Sequence, residues 1–195
     1  HAQSGQEFFA RVCAQAGSEA GRVYLLGLLG HYCLDSVCHP YVEKKDTDGS
    51  ARHVELESEF DRYLLESDGV VLPHTYDGSA HMRLTRGECV TVALFYPPAT
   101  PANINACVRN MARATRFLVG KNRKRVQRLL RLTRSPAIED QLMPEHGDDR
   151  WLWMDSEMLV LYNRALKRYP VLLSQLDEHM RTGEPLGQDF APAFG

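Results

Sequence analysis

The chain has 195 residues, of which 44% are hydrophobic and 25% are charged, and its formal net charge at neutral pH is −2. This length suits one domain of ordinary size, and the composition is that of a soluble globular protein, which excludes a disordered or fibrous chain. The near-neutral charge argues against a protein that binds nucleic acid along its whole surface, because such domains are strongly basic. The most apolar stretch, 23–34, is interrupted by Gly27, Gly30 and His31. It is too short for the ~20 apolar residues of a membrane-spanning helix.

The cysteines are odd in number and contain no C-x-x-C pair; they are Cys13, Cys33, Cys38, Cys89 and Cys107. This pattern fits free buried thiols in a reducing compartment better than a disulfide framework, and it predicts a cytoplasmic location. The chain begins with His1 and shows no secretory signal pattern. We expect the native protein to start upstream of His1.

The first half of the chain predicts three helices. Apolar residues at helical spacing place helices at 6–16 and 20–38. Pro40 disfavours helical geometry at the residue before it, so the second helix is expected to end at His39. The polar run 43–49 is predicted as a surface loop, and Ser50 is expected to cap a third helix at 51–66.

The second half predicts an irregular stretch and four more helices. The stretch 68–85 is rich in glycine and proline and is expected to be a long loop. The helices are predicted at 86–95, where β-branched residues also permit a strand, at 101–118, from a cap at Asn122 through Leu132, and at 154–180 with an interruption or a kink at Pro170. We therefore predict an all-α fold, with a single domain of six to eight helices at 1–183 and a C-terminal tail at 184–195.

Two pairs of histidine and carboxylate carry the chemistry that we expect. His31 and Asp35 are four residues apart and share one face of a helix, and His53 and Glu57 repeat that spacing on the next helix. His39 lies between the two pairs. Imidazole nitrogen and carboxylate oxygen are zinc ligands, and a hydrolytic zinc site keeps one position open for water. The constellation predicts a metal site.

The alternative explanation for these residues is that they form polar contacts without a metal. A single pair of histidine and acid arises often by chance and is usually a satisfied polar contact. Two pairs together with His39 are harder to explain in that way. Moreover, Asp35 lies in the most apolar helix, where a carboxylate needs a cation or a hydrogen-bond network.

The segment Tyr24-Leu-Leu-Gly-Leu-Leu-Gly-His31-Tyr-Cys-Leu-Asp35-Ser-Val-Cys-His39-Pro, followed by His53-x-x-x-Glu57, resembles the metal-binding core of the zinc-dependent phospholipase C family. The wider superfamily includes single-strand-specific zinc nucleases. The resemblance implies an all-α helical bundle of the phospholipase C and zinc nuclease type, with a trinuclear zinc cluster. It covers about 24–61. It departs from the better-known members in having three residues rather than five between Asp35 and His39.

The resemblance also implies which residues hold the metal. His31 and Asp35 match one zinc pair, with Asp35 as the bridging and catalytic carboxylate, and His39, His53 and Glu57 match the ligands around another ion. The family takes further ligands from earlier in its chain, and of these only His1 has a counterpart here. We expect two or three zinc ions in the complete protein.

The leading functional hypothesis is therefore a zinc-dependent phosphodiesterase that hydrolyses a phosphoester through metal-activated water. Its substrate would be a phospholipid at a membrane surface or a related phosphoester, with single-strand nuclease-like activity as one alternative. A second alternative is a non-catalytic zinc-stabilised helical binding module. A di-iron carboxylate bundle is a third, although its usual E-x-x-H motif is absent.

Three other features have simpler explanations. The segment 121–134 is basic and could attract a phosphate-bearing substrate, but a charged helix face is usually only solvated. Trp151 and Trp153 are expected to anchor the core rather than line a substrate pocket. His74 and Asp77, in the irregular stretch, are expected at the surface.

Overall fold

A computed structural model describes residues 3–119, 122–133 and 139–193. Within these ranges the secondary structure is helical, and the β contacts amount to one isolated antiparallel bridge between Ser4 and Ala193. The helices are α1 (Gly5–Cys13), α2 (Glu19–Thr47), α3 (His53–Ser67), α4 (Arg86–Phe95), α5 (Pro101–Leu118), α6 (Arg123–Thr133) and α7 (Leu152–Thr182). The prediction of an all-α fold is confirmed. None of the described helices has the length and apolarity needed to cross a membrane.

The chain divides into two compact units. The first unit comprises His1–Tyr41, Arg86–Ile104 and Leu159–Gly195, and the second comprises Val42–Thr85 and Asn105–Met158. Three of the helices, α2, α5 and α7, contribute residues to both units.

Aromatic side chains form the centre of the first unit. Phe9 and Tyr32 meet edge to face with ring centroids 5.3 Å apart, and Tyr32 stacks on Phe190 at 5.8 Å. All three side chains are fully buried. The Tyr32 hydroxyl donates a hydrogen bond to the carbonyl of Pro192 at 3.1 Å. The segment that was predicted as a C-terminal tail therefore supplies Phe190 to this core, because its apolar residues have a buried surface to pack against.

The expected end of the second helix at His39 is wrong. Helix α2 continues through Pro40 to Thr47, so His39 lies within the helix. Proline inside a helix costs about 3 kcal/mol, because it removes one hydrogen bond and crowds the preceding turn. Val42, on the turn that follows Pro40, is 1% exposed, and full burial of a valine side chain contributes about 1.5 to 3 kcal/mol. The prediction failed because a local preference was outweighed by tertiary packing.

Helix α3 runs through the second unit and begins two residues later than predicted. Its N-cap residue is Arg52, which makes no side-chain capping bond, and Ser50 does not cap it. Instead, the Asp46 carboxylate accepts a hydrogen bond from the backbone N–H of His53 at 3.3 Å. Gly49 turns the chain between the two helices with a φ of +74°, which glycine adopts readily.

The remaining predicted elements are close to the observed ones. The stretch 68–85 contains only two short 3-10 turns, Pro73–Thr75 and Gly78–His81, and is otherwise irregular as predicted. The region 86–95 is helical, which removes the alternative of a strand. Helix α7 continues through Pro170, so of the expected interruption or kink the interruption does not occur.

Candidate metal centre

Three of the predicted ligands form a ladder on one face of α2. His31, Asp35 and His39 follow one another at intervals of four residues, which is about one helical turn. The Nε2 atom of His31 lies 3.3 Å from Oδ2 of Asp35, and the Nε2 atom of His39 lies 3.7 Å from Oδ1 of the same carboxylate. Each carboxylate oxygen of Asp35 thus faces a different imidazole. A carboxylate placed in this way is suited to bridging two cations.

The three side chains differ in exposure, and the central carboxylate is the least exposed. The side chain of His31 is 65% exposed, that of His39 is 21% exposed, and that of Asp35 is only 12% exposed. A carboxylate with so little contact with water needs a compensating positive charge or hydrogen-bond donors. The two imidazoles, or cations that they hold, supply that compensation.

Two buried thiols lie beside the ladder. Burial raises the pKa of Cys38 to about 11, and the negative charge of Asp35 raises it further. Burial also raises the pKa of Cys33, whose Sγ donates a hydrogen bond to the carbonyl of Ala165 at 2.9 Å. Both thiols therefore favour the neutral form, and the donor atoms offered by this face of α2 are imidazole nitrogen and carboxylate oxygen.

The second predicted pair forms on α3. His53 Nε2 and Glu57 Oε1 are 3.1 Å apart, within hydrogen-bonding distance. Both side chains are only partly exposed, at 32% for His53 and 44% for Glu57. The pair lies in the first turns of the helix. His39, His53 and Glu57 each offer one ligand atom of a kind that zinc accepts.

Asp61 continues the same face of α3 and was not among the predicted site residues. It follows Glu57 by four residues, so His53, Glu57 and Asp61 repeat the spacing of the ladder on α2. Asp61 as a residue is exposed, but partial desolvation of its carboxyl group raises its pKa, and the negative charge of Glu57 raises it further. The continued four-residue spacing is the sequence signal that could have identified it.

The other candidates behave differently. His1 lies outside the described residues, so its role as a ligand stays a prediction. Trp151 is 3% exposed, as expected of a core anchor, but Trp153 is 54% exposed and its ring lies 4.1 Å from Nζ of Lys45. His74 is less exposed than expected, because its Nδ1 atom is buried.

Comparisons with protein-family models, with curated proteins and with solved structures find no match for this chain. The resemblance to the zinc-dependent phospholipase C family therefore depends on the motif residues between Tyr24 and Asp61 and stays a prediction.

Proposed function

We propose that this chain is a zinc-dependent phosphodiesterase of the phospholipase C type, acting on a phospholipid or a related phosphoester. The proposed zinc ligands are His31, Asp35, His39, His53 and Glu57. One observation carries the proposal: the two carboxylate oxygens of Asp35 face two different imidazoles on the same helix. This arrangement suits a bridging carboxylate between ions.

The donor set fits zinc. It consists of imidazole nitrogens and carboxylate oxygens, which zinc binds in hydrolytic sites. Zinc held by these residues would supply a Lewis acid and a water molecule of lowered pKa. The protein's own part is to fix the ligands, with Asp35 held between two imidazoles in a partly dehydrated position.

The accessibility of the ladder favours catalysis over a purely structural metal. Structural zinc sites are closed, whereas catalytic sites keep one position for water or substrate. His31 is largely exposed, so a phosphoester could approach the ladder from its side.

The described part of α6 has an exposed basic face that would attract an anionic surface. Lys124, Arg125 and Arg128 are all exposed on it. Each basic residue near an anionic membrane contributes about 1 kcal/mol of attraction. We include a lipid surface among the proposed partners on this ground. The free cysteines, four of them buried, support placing the protein in a reducing compartment such as the cytoplasm.

A hydrolysis assay tests the proposal. Zinc-loaded, full-length protein is incubated with phosphatidylcholine vesicles, single-stranded DNA and bis(p-nitrophenyl) phosphate, and phosphodiester cleavage is measured. We expect cleavage of at least one of these substrates. Asp35→Asn should abolish it, while Asp177→Asn, an exposed change in α7, should leave it intact.

The opposite result would separate the alternatives. Protein that binds zinc but cleaves none of the substrates would contradict the phosphodiesterase and leave the zinc-stabilised binding module. Cleavage of DNA alone would favour the nuclease-like activity. Cleavage that survives Asp35→Asn would remove the proposed role of that carboxylate.

A further inference from the structure

A cavity in the second unit has none of the predicted ligands in its lining and no role in the proposed chemistry. Its volume is about 480 Å³, within the range of small-molecule pockets. Much of the wall is apolar, with Leu64 and Leu65 of α3, Pro73 of the first 3-10 turn and Leu118 at the end of α5. Such a cavity can take up the hydrocarbon part of a ligand.

Arg123 brings a buried positive charge to this cavity. The residue is 7% exposed, although it belongs to the basic segment that was expected to be solvated. Its Nη2 donates a hydrogen bond to the carbonyl of Met143 at 2.6 Å, and its Nε lies 3.5 Å from Oε1 of Glu145. Its Nη1 is buried without a hydrogen-bond partner among the described residues. A buried guanidinium N–H without an acceptor carries an uncompensated desolvation penalty, so an acceptor at this atom would stabilise the protein.

His74 adds a second unsatisfied atom to the same lining. Its Nδ1 is buried and has no hydrogen-bond partner within the described ranges. An imidazole nitrogen can donate or accept a hydrogen bond, depending on the tautomer. Two residues of one cavity lining thus each carry a buried polar atom that lacks a partner among the described residues, and a ligand with a polar head would supply one.

The other ionisable groups of the lining limit the charge of that head. Asp61 and Asp68 also line the cavity. Asp68 is exposed at the C-cap of α3, so water screens its charge. Two aspartates nearby would disfavour a dianion such as a phosphate monoester. A single carboxylate supplies the acceptor that Nη1 of Arg123 lacks and adds only one negative charge.

We propose that this cavity binds an unbranched aliphatic carboxylate, with the carboxylate at Nη1 of Arg123 and the chain against Leu64, Leu65 and Leu118. The site does not depend on the metal centre. Its wall nonetheless includes Asp61, one turn beyond Glu57 on α3, so a bound carboxylate would lie on the helix that also carries two candidate zinc ligands.

Calorimetric titration of the full-length protein with decanoate tests this site. Decanol has the same chain without the charge, acetate has the head without the chain, and decyltrimethylammonium reverses the charge. Decanoate and decyltrimethylammonium are used below their critical micelle concentrations and decanol below its solubility limit, in EDTA and again with zinc. We expect one decanoate per chain in both conditions, with at least about tenfold weaker binding of the other three ligands, the scale of a charge-assisted hydrogen bond.

Variants identify the residue responsible. Arg123→Met removes the guanidinium but keeps most of the stem, and it should weaken decanoate binding about tenfold or more without changing the binding of decanol. Arg125→Met, an exposed change on the same helix, is the matched control and should have no effect. Leu65→Trp fills the cavity and should abolish the binding of both decanoate and decanol, which keeps the test decisive if Arg123→Met fails to fold.

Three results would overturn the proposal. They are no saturable binding of decanoate by the unaltered protein, equal or tighter binding of decyltrimethylammonium, and unchanged decanoate binding in folded Arg123→Met. Because the titration is also made in EDTA, failure of the zinc proposal would leave this result unaffected.

Discussion

Arg62 and Glu59 form a buried ion pair on α3, with Nη2 of the arginine 2.6 Å from Oε1 of the glutamate. The Nε atom of Arg62 donates to the same carboxylate, so the pair is bidentate. The side chains are 4% and 1% exposed. A second pair with the same spacing, Arg181 and Glu178 on α7, is 71% and 55% exposed. The two pairs allow the effect of burial to be measured.

Removing Arg62 should destabilise the protein far more than removing Arg181. Arg62→Met leaves the Glu59 carboxylate buried without its partner, and such losses cost about 3 to 5 kcal/mol. Arg181→Met breaks an exposed pair, whose contribution is about 0 to 1 kcal/mol. Urea unfolding of the two variants measures both changes. Equal losses of stability would contradict the importance of burial.

Asp155 should make stability depend on pH. Burial raises the pKa of this carboxyl group to about 6, and the negative charge of Glu59 contributes, while Arg62 acts in the opposite direction. Between about pH 4 and pH 6 the folded state binds more protons than the unfolded state, so the free energy of unfolding falls as pH rises through this window. Above about pH 6, the carboxylate is ionised in both states, and its full desolvation penalty lowers the free energy of unfolding.

Asp155→Asn removes this penalty. A raised pKa of about two units corresponds to about 3 kcal/mol, so the variant should be more stable than the unaltered protein by up to that amount at pH 8. At pH 4 the two proteins should be equally stable. Asp149→Asn, an exposed change, is the control and should be neutral at both pH values. A gain in stability at pH 4 that equals the gain at pH 8 would contradict the titration.

Two glycines in the first unit should respond to alanine in opposite ways. Gly183 follows α7 with a φ of +77°, and its N–H donates to the carbonyl of His179 at 2.8 Å. Alanine is strained in this conformation, so Gly183→Ala should cost about 1 kcal/mol. Gly27 lies within α2 with open space where a Cβ would stand, so Gly27→Ala should add about 0.5 to 1 kcal/mol. Thermal melts measure both changes in stability. A change of the same sign in the two variants would contradict this prediction.

Zinc should stabilise the protein without being required for the fold. The aromatic centre formed by Phe9, Tyr32 and Phe190 includes none of the proposed zinc ligands. We therefore expect helical circular dichroism to persist in EDTA and Tm to rise when zinc is added, because a ligand that binds only the folded state stabilises it. Asp35→Asn should lose most of that rise. Unfolding in EDTA would show that the metal is structural.

The sequence predicted most helices because their apolar periodicity agrees with the residues that start and end helices. Pro101, where α5 begins, is an example. It failed where packing opposed a local preference. Pro40 does not end α2, and Phe190 is in a core although it follows a glycine-terminated helix. Both outcomes depend on partners that are distant in the chain, which no local pattern contains.

In the candidate site, too, local patterns were predictable and contacts with distant residues were not. Four-residue spacing was enough to pair His31 with Asp35 and to pair His53 with Glu57, because helical geometry is local. His39 joins the face of Asp35 because α2 continues through Pro40, which was not predicted. The burial of Arg123 was not predictable in this way. Its neighbours Lys124 and Arg125 are exposed, and only tertiary structure determines which basic residue of the segment turns inward.

Zinc content per chain is the most direct test of the central claim. Full-length protein purified without added metal is analysed by inductively coupled plasma mass spectrometry, alongside Asp35→Asn and Glu57→Gln, with the exposed change Glu157→Gln as control. Our account predicts two or three zinc ions per chain in the unaltered protein and the control, and fewer in each of the two site variants. Protein that holds no zinc, or zinc content that both site variants retain, would contradict it and leave the histidines and carboxylates as a polar network without a metal.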